Sequence, residues 1–253
     1  MRLPHPLYGL YERRLAASLP PGAIPRHIGV ILDGNRRWAR SVGLDKSTGH
    51  RRGADHIAEV LRWSDEVGVE VVTLWMLSTD NLTREPDELA ELVGIIADTV
   101  GDLAATGRWR LQVVGALDLL PASAVEALQA AQESTAAVEG MHVNVAVGYG
   151  GRQEIADAVS SLLREHASNG TTLEALADSV TVEHIAEHLY TKGQPDPDLV
   201  IRTSGEQRIG GFLLWQSVHT EFYFCEAYWP DFRRVDFLRA LRSYAARERR
   251  LGR

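Results

Sequence analysis

A single carboxylate at the end of an apolar run is the first group in the chain that could do chemistry. The run from Ile28 to Leu32 ends at Asp33, and the segment continues as Gly34, Asn35 and two arginines. Glycine lets a backbone approach a ligand closely, arginine binds phosphate oxygens bidentately, and one carboxylate can hold Mg²⁺ that also contacts phosphate. The segment therefore predicts a phosphate site, although a loop capped by Asp33 with solvated arginines would have the same spacing.

Two further segments place polar side chains after apolar runs. In STDNLTREPDEL, residues 78–89, Ser78 and Asn81 are polar and Arg84 is placed to contact an anion. In RTSGEQR, residues 202–208, Arg202 and Arg208 flank a glycine-containing turn. Two guanidinium forks suit a diphosphate. The other interpretation is a capped helix start for the first segment and a surface loop for the second.

His50, in TGHRRGA, is a candidate for handling a proton, because histidine titrates near neutral pH. A single histidine near a helix start is more often a capping or packing residue. Both interpretations stay open at this point.

The distribution of charge favours one specific anion over nucleic acid. The 253 residues carry a formal net charge of −7, which argues against general nucleic-acid binding. Residues 26–52 nevertheless hold seven Arg or Lys against Asp33 and Asp45, a local net charge of +5. A basic patch on an acidic protein indicates a site for a particular anion.

Two short motifs suggest other chemistry and are rejected. HIAEH, residues 184–188, matches a zinc-protease pattern but lacks an evident third ligand. GYGGRQE, residues 148–154, resembles a dinucleotide-binding loop, but Gln153 stands where the third glycine is needed. Neither zinc nor a nicotinamide cofactor is expected.

Strand and helix patterns alternate after an N-terminal arm. We expect an α/β fold with a central, mainly parallel sheet flanked by helices, in which residues 1–25 form the arm and 26–253 a single catalytic domain. The strands are predicted at 28–32, 70–77, 110–114, 142–147, 199–202 and 212–215, and the helices at 52–67, 86–105, 123–138, 152–166, 182–189 and 235–248. Ligands bind beyond the carboxyl ends of such strands, so Asp33, Ser78, Gly148 and Arg202 are expected at one edge.

Targeting signals are not evident in the sequence. Cys225 is the only cysteine, so no internal disulfide is expected, which fits a reducing compartment. The N-terminus shows no signal-peptide pattern, and no apolar run approaches the length needed to cross a bilayer. We expect a cytoplasmic protein, with peripheral contact at the inner face of the plasma membrane as a further expectation.

Several ordered blocks of the chain resemble the cis-prenyltransferases, the undecaprenyl diphosphate synthase family. The resemblance runs from about Ile24 to the C-terminus through HIGVILDGNRRWA, GHRRGA, TLWMLSTDN, VNVAVGYGGRQEI, PDPDLVIRTSGEQRIGGFLLWQ, EFYF and YWPDF. The family joins an allylic diphosphate to isopentenyl diphosphate and creates a Z double bond. The D-D-x-x-D motif of the trans enzymes does not occur in this sequence.

The resemblance implies roles for the matching residues, including Mg²⁺ as cofactor, an apolar tunnel and precursor synthesis for the cell wall. Asp33 would hold the metal with help from Glu221. His50, Ser78 and Asn81 would assist ionisation or proton removal. The residues that would bind the two diphosphates are Gly34, Asn35, Arg37, Trp38, Lys46, His50, Arg84, Arg202, Arg208 and Gly210. The C-terminal R-x-G motif begins at Arg250, and in relatives it reaches the partner's site, which implies a homodimer.

Departures from the family pattern bear on product length. Arg36 stands where many relatives have glycine, and Gly210 replaces a frequent serine. Met76 occupies a position that is often small in long-chain members, where a bulky side chain would block growth sterically. With Leu82 in place of a frequent tryptophan, the segment resembles the short-chain actinobacterial branch, which makes (2Z,6E)-farnesyl diphosphate from geranyl diphosphate.

Other functions stay open on the sequence alone. The chain could be a long-chain decaprenyl or undecaprenyl diphosphate synthase, a non-catalytic subunit of a heteromeric prenyltransferase, or a generic phosphate-binding module. The general base is equally open between His50, Asn81 acting through water, and the departing diphosphate.

Overall fold

Parallel strands form a central sheet in the computed structural model, which describes residues 5–20 and 22–248. Within these ranges the sheet has six strands in the order β3-β4-β2-β1-β5-β6, and every neighbouring pair is parallel. The strands are β1 (His27–Ile31), β2 (Val71–Ser78), β3 (Arg110–Val114), β4 (His142–Tyr149), β5 (Leu199–Arg202) and β6 (Glu221–Phe224). The predicted α/β architecture is confirmed, and all six carboxyl ends point to one edge.

Helices follow most of the strands, as the alternating sequence pattern predicts. They are α1 (His5–Ala17), α2 (Asn35–Ser41), α3 (Lys46–Glu66), α4 (Pro86–Ala105), α5 (Ala122–Ser134), α6 (Gly151–Ser168), α7 (Leu173–Ser179), α8 (Val182–Ala186) and α9 (Arg234–Glu248). A short 3-10 helix, Thr79–Thr83, connects β2 to α4.

Successive residues of each strand pack on opposite faces of the sheet, which is why the strands are almost continuously apolar. The larger core includes Val30 and Ile201 together with apolar residues of α3, α4, α5 and α9. On the other face, Ile31 and Val200 pack with Phe212 and Leu213. The sheet is therefore buried on both faces, and this fixes the strand ends that carry the candidate site.

The prediction of a strand at Phe212–Trp215 is wrong. These residues form buried turns in which Leu213 has a φ of 46°, and the sixth strand is Glu221–Phe224 instead. A short apolar run does not distinguish a strand from a buried turn by its periodicity. The two glycines before Phe212 both have positive φ, which is incompatible with continuous extended backbone.

The N-terminal arm contains a helix, α1, that packs on the main body of the protein. Leu15 of α1 is buried in the larger core, and the guanidinium of Arg239 in α9 lies 5.6 Å from the ring centre of Tyr11. Among the described residues, no helix combines the length and apolarity that crossing a membrane requires.

Candidate active site

A cavity of about 530 Å³ opens at the carboxyl edge of the sheet. Its wall combines polar residues from the ends of β1, β2 and β5 with apolar residues. The predicted site residues that line it are Asp33, Gly34, Asn35, Arg37, His50, Met76, Ser78, Asn81, Arg84, Arg202, Arg208 and Gly210. Parallel strands thus bring together segments that are far apart in the sequence.

Asp33 is held at the centre of this edge by the backbone and by two arginines. Its N–H donates to the hydroxyl of Thr203 at 3.0 Å, and its carbonyl accepts from the same hydroxyl at 2.7 Å. One carboxylate oxygen, Oδ2, lies 2.8 Å from Nη2 of Arg202, and Oδ1 lies 3.2 Å from Nη2 of Arg37. The carboxylate orientation is therefore fixed by the protein itself.

The two arginines keep Asp33 ionised. Burial by itself raises the pKa of this carboxyl, but the hydrogen bond and charge of Arg202, with the charge of Arg37, lower the pKa below its usual value. An ionised carboxylate is the form that can bind a divalent cation.

Gly34 allows the chain to turn from β1 into α2 against a crowded neighbour. Its φ is 105°, and a Cβ atom at this position would lie 2.8 Å from the ring of Tyr228 and 3.0 Å from Cβ of Ser204. The turn delivers Arg37 to the cavity, where its Nη2 donates to Oγ of Ser204 at 2.7 Å. Ser204 has a φ of 79°, and the sequence analysis did not single it out although it lies within RTSGEQR.

The GHRRG segment is explained by close packing of α3 on α2. A Cβ at Gly49 would lie 2.5 Å from the carbonyl oxygen of Asn35, and one at Gly53 would lie 2.3 Å from its Oδ1. The side-chain amide of Asn35 donates to the carbonyl of Leu32 at 3.2 Å, whereas its buried Oδ1 has no partner among the described residues. Two glycines are therefore needed to seat Asn35 beside Asp33.

His50 lies between these glycines and faces the cavity. Burial, with the positive charge of Arg84 as the second cause, lowers its pKa to about 4. Its Nε2 is buried and has no hydrogen-bond partner within the described part of the chain. The ring is therefore neutral at pH 7, with one nitrogen available to a ligand.

Glu88, a residue that the sequence analysis did not consider, connects the cations on one side of the cavity. It lies in the first turn of α4, and its Oε1 is 3.3 Å from Nη1 of Arg84 and 3.5 Å from Nη1 of Arg36. Its Oε2 is 3.0 Å from Nζ of Lys46. Lys46 is thus near the cavity through Glu88 without being one of its lining residues.

A second carboxylate, that of Glu206, connects cations on the other side. Its Oε1 lies 3.0 Å from Nη1 of Arg37, and its Oε2 lies 3.2 Å from Nη2 of Arg208. Arg202 donates from Nη1 to the carbonyl of Arg208, which ties the loop to the end of β5. Cations therefore flank Asp33 on both sides.

Gly210 and Trp75 fit against one another in the cavity wall. Gly210 has a φ of 61°, and a Cβ there would lie 3.2 Å from Cη2 of the Trp75 indole. The indole stacks on Phe212 at 5.1 Å between ring centres, and its Nε1 donates to the carbonyl of Tyr149 at 3.2 Å. A serine at this position would therefore bring its Cβ against this indole.

The buried carboxyl of Glu154 anchors the turn region that contains Gly210 and Phe212. Glu154 accepts from Nε2 of Gln216 at 3.0 Å, from the N–H of Tyr190 at 3.0 Å, and from the hydroxyl of Tyr149 at 2.5 Å. Burial raises the pKa of Glu154, since the ionised form is disfavoured away from water. The glycines of GYGGRQE have a packing role here, because a Cβ at Gly151 would lie 2.5 Å from the carbonyl of Gly211.

Ser78 and Asn81 line the cavity and also organise its floor. Oγ of Ser78 accepts from the N–H of Asn81 at 3.2 Å, which caps the 3-10 helix between β2 and α4. Met76 and Leu92 are apolar residues that also line the cavity. Leu82 is partly buried against the larger core and is not a lining residue.

The structure does not bring every predicted residue to the cavity. Trp38 and Lys46 are not among its lining residues, and Gly148 lies within β4 against Ala116. Arg250 lies outside the described residues.

Glu221, predicted to help hold the metal, lies at the opposite end of the sheet from Asp33 within one chain. It begins β6 and pairs in register with Leu199, at the amino ends of the strands, whereas Asp33 follows the carboxyl end of β1. Its carboxylate forms an ion pair with Arg247. Among the described residues no cluster of three or more His, Cys, Asp or Glu side chains could hold a metal. His184 of the HIAEH motif instead belongs to a capping box with Thr181.

Comparison with known proteins gives a consistent result over nearly the whole chain. Residues 31–252 match the prenyltransferase family model, which describes undecaprenyl diphosphate synthases. The (2Z,6E)-farnesyl diphosphate synthase of Thermobifida fusca is 63% identical over 248 residues, covering 98% of this chain and 97% of that protein. The (2Z,6E)-farnesyl diphosphate synthase of Mycobacterium tuberculosis is 58% identical over 256 residues, covering 100% and 98%.

A solved structure agrees with the sequence relatives. Lavandulyl diphosphate synthase from Lavandula x intermedia, in complex with dimethylallyl diphosphate, superposes with a TM-score of 0.81 at 33% identity. The superposition covers 88% of this chain and 96% of that one.

Proposed function

Because the chain belongs to the undecaprenyl diphosphate synthase family of cis-prenyltransferases, we propose that it makes (2Z,6E)-farnesyl diphosphate from geranyl diphosphate and isopentenyl diphosphate. In this reaction the allylic C1–O bond breaks and inorganic diphosphate leaves. A bond forms from C1 to C4 of isopentenyl diphosphate, and a proton is lost from its C2.

The proposal rests on one arrangement of residues. Cations flank Asp33 on both sides, and the cavity beside them has a partly apolar wall. Arg37 and Arg202 both contact the Asp33 carboxylate, and Arg84 and Arg208 also line the cavity. Two diphosphates need two groups of cations, and an apolar chain needs a water-poor surface beside them. Holding both substrates together supplies the proximity that a condensation requires.

Mg²⁺ is the metal that fits this site. Asp33 offers one ionised carboxylate, and Mg²⁺ typically binds one or two carboxylates together with substrate phosphate oxygens and water. When bound, the metal would stabilise negative charge on the departing diphosphate. Asp33 would hold it, and Arg202 and Arg37 would keep the carboxylate correctly oriented.

Cations from both sides of Asp33 would bind the two diphosphates. We assign the allylic diphosphate to Gly34, Arg37 and Arg84, with Asn35 beside them, although Arg37 is also linked to Arg208 through Glu206. Arg202 and Arg208 would bind isopentenyl diphosphate, since they lie together at the end of β5. Charge develops on the leaving group as the allylic bond breaks, and fixed cations stabilise it without reorganising.

The departing diphosphate is our choice for the base that takes the C2 proton. His50, with a pKa of about 4, is a weak base at pH 7, whereas diphosphate oxygens are more basic. His50 would instead donate or accept a hydrogen bond at the allylic diphosphate. Ser78 and Asn81 would orient the substrates from the cavity floor.

Met76 would set the short product by closing the apolar end of the cavity. Met76 is one of the apolar residues that line the cavity. Two highly identical relatives carry the name (2Z,6E)-farnesyl diphosphate synthase, which supports the same product here.

We also propose a homodimer that works in the cytoplasm, with peripheral contact at the inner face of the plasma membrane. The edge strand β6 has one neighbour within the described residues, and all four of its residues are partly exposed, which suits a second copy. Gel filtration combined with light scattering would test the assembly.

A turnover assay separates this function from the alternatives. The purified chain alone, given Mg²⁺ and both substrates, should release inorganic diphosphate, and EDTA should stop the release. A non-catalytic subunit or a phosphate-binding module would release none.

A further inference from the structure

Glu88 contacts three cations beside the cavity, and such a cluster of cations is the kind of site that binds phosphate oxygens. Its carboxylate contacts Arg36, Lys46 and Arg84, which come from α2, from α3 and from the segment before α4. The Glu88 side chain is only 19% exposed. One carboxylate therefore links cations from three separate segments beside the cavity and offsets only part of their charge.

Without the negative charge of Glu88, these cations would repel one another. The pKa of Arg84 is lowered by burial and then by the charge of Arg36, while the charge of Glu88 raises it. Arg36 and Lys46 are about half exposed, with side chains 43% and 55% accessible, so they can turn toward a bound anion. The longest of the three contacts is that of Arg36, at 3.5 Å, the weakest geometry of the group.

We propose that Glu88 is the internal counterion of the allylic diphosphate site: it gathers Arg36, Lys46 and Arg84 in the free protein and competes with diphosphate for them. Arg36 is accordingly a further diphosphate ligand of this chain. Glu88 is a positioning residue, and its competition weakens retention of the inorganic diphosphate product. The inference rests on the proposed function for the identity of the anion.

The chain offers a matched control one turn further along α4. Glu91 forms an ion pair with Arg51 at 3.6 Å and accepts a hydrogen bond from Ser47, both in α3. Neither glutamate lines the cavity, but Arg36 and Arg84, which contact Glu88, line it, whereas Arg51 does not. Glu88→Gln and Glu91→Gln each remove one negative charge from the same helix–helix contact. The two variants differ because only Glu88→Gln removes a carboxylate that would compete with diphosphate for cations of the cavity.

The experiment measures inorganic diphosphate binding to the full chain by titration calorimetry with Mg²⁺ present. Glu88→Gln should bind diphosphate about three- to tenfold more tightly, because a negative charge near the ligand has been removed. Glu91→Gln should stay within about twofold of the wild type. Glu88→Ala should repeat the sign, so that the test survives if one variant does not fold.

A double-mutant cycle tests whether Glu88 and diphosphate compete for Arg36. Arg36→Gln should weaken diphosphate binding about tenfold, and the gain from Glu88→Gln should shrink in its background, as expected for groups in contact. In turnover, Glu88→Gln should show stronger product inhibition by diphosphate and a lower kcat, with an unchanged KM for isopentenyl diphosphate.

Unchanged or weaker diphosphate binding by both Glu88 variants would overturn the inference. Because binding is measured without turnover, this result is distinct from failure of the proposed function. A wild-type chain that binds diphosphate and shows the predicted cycle, yet consumes no isopentenyl diphosphate, would support the counterion and contradict the enzyme.

Discussion

Asp33 and Arg202 lie 169 residues apart in the sequence, yet Oδ2 of the first and Nη2 of the second are 2.8 Å apart. The pairing of β1 with β5 produces this contact, because Ile31 and Arg202 are in register and Asp33 follows two residues later. The Arg202 side chain is 9% exposed, so the pair is largely withdrawn from water. The fold thus orients the carboxylate before any substrate arrives.

Replacing Asp33 by Asn should abolish turnover while keeping the shape of the side chain. We expect kcat to fall about a thousandfold or more, since an amide does not replace a charged metal ligand. The fold should lose about 2 kcal/mol, because the buried Arg202 loses an ionised partner. Diphosphate release and thermal unfolding measure the two effects. Asp87→Asn, at an exposed position of α4, is the control, and a kcat for Asp33→Asn within tenfold of the wild type would contradict the assignment.

His50 should titrate far below an ordinary histidine. NMR titration of the free protein should give a pKa of about 4, and bound inorganic diphosphate should raise that pKa by opposing the charge of Arg84. The lowered pKa of His50 also makes the stability of the fold decrease as the pH falls. Because the folded pKa lies below the unfolded value of about 6.5, the unfolded chain binds the proton first as the pH falls from about 6.5 to 4. His50 therefore destabilises the fold progressively across this window.

The variant His50→Gln should lose less stability over that same pH range, which denaturant unfolding at pH 7 and pH 5 measures. An NMR pKa near 6.5 in the free protein would contradict the burial argument.

Shortening Met76 should lengthen the product. Met76→Ala removes bulk from the apolar part of the cavity wall, so elongation should continue beyond C15, as measured by chromatography of dephosphorylated products. Leu82→Ala is the matched control, because Leu82 packs on the larger core without lining the cavity. It should cost about 2–3 kcal/mol of stability and leave the C15 product unchanged. Identical product lengths for Met76→Ala and the wild type would refute the role of Met76.

Gly210 and Trp75 should behave as a coupled pair. Gly210→Ser forces a Cβ against the Trp75 indole and adds backbone strain at a φ of 61°, so the KM for isopentenyl diphosphate should rise about tenfold. Trp75→Tyr provides space for the serine, and the double variant should recover much of that loss. Two single effects that simply multiply in the double variant would show that the pair is independent.

Most of the fold could be predicted because apolar strands and amphipathic helices leave clear patterns. The bounds of α4, β3 and β5 agree with the predicted ranges 86–105, 110–114 and 199–202. The prediction is wrong at Phe212–Trp215, where a partly buried apolar run forms turns, and it places no strand at Glu221–Phe224, which forms β6. Local pattern does not reveal which apolar segment joins the edge of a sheet.

The candidate site could be predicted where polar or charged side chains lie at the carboxyl end of a strand. Asp33, Ser78 and Arg202 lie at one edge as expected. Glu88 and Glu206 were not predicted, because their roles depend on cations that are 42 and 169 residues away in the sequence. Glu221 is the opposite case. The EFYF motif suggests a role for Glu221, but a motif does not show at which end of the sheet its residue lies.

Product analysis decides whether the chain makes (2Z,6E)-farnesyl diphosphate. Purified protein would receive Mg²⁺, labelled isopentenyl diphosphate and geranyl diphosphate, and the dephosphorylated products would be sized and their double-bond geometry determined. A single C15 alcohol with the 2Z,6E configuration is expected. A ladder of products reaching C50 would contradict the short cavity closed by Met76, and the absence of any product would contradict the proposed catalysis.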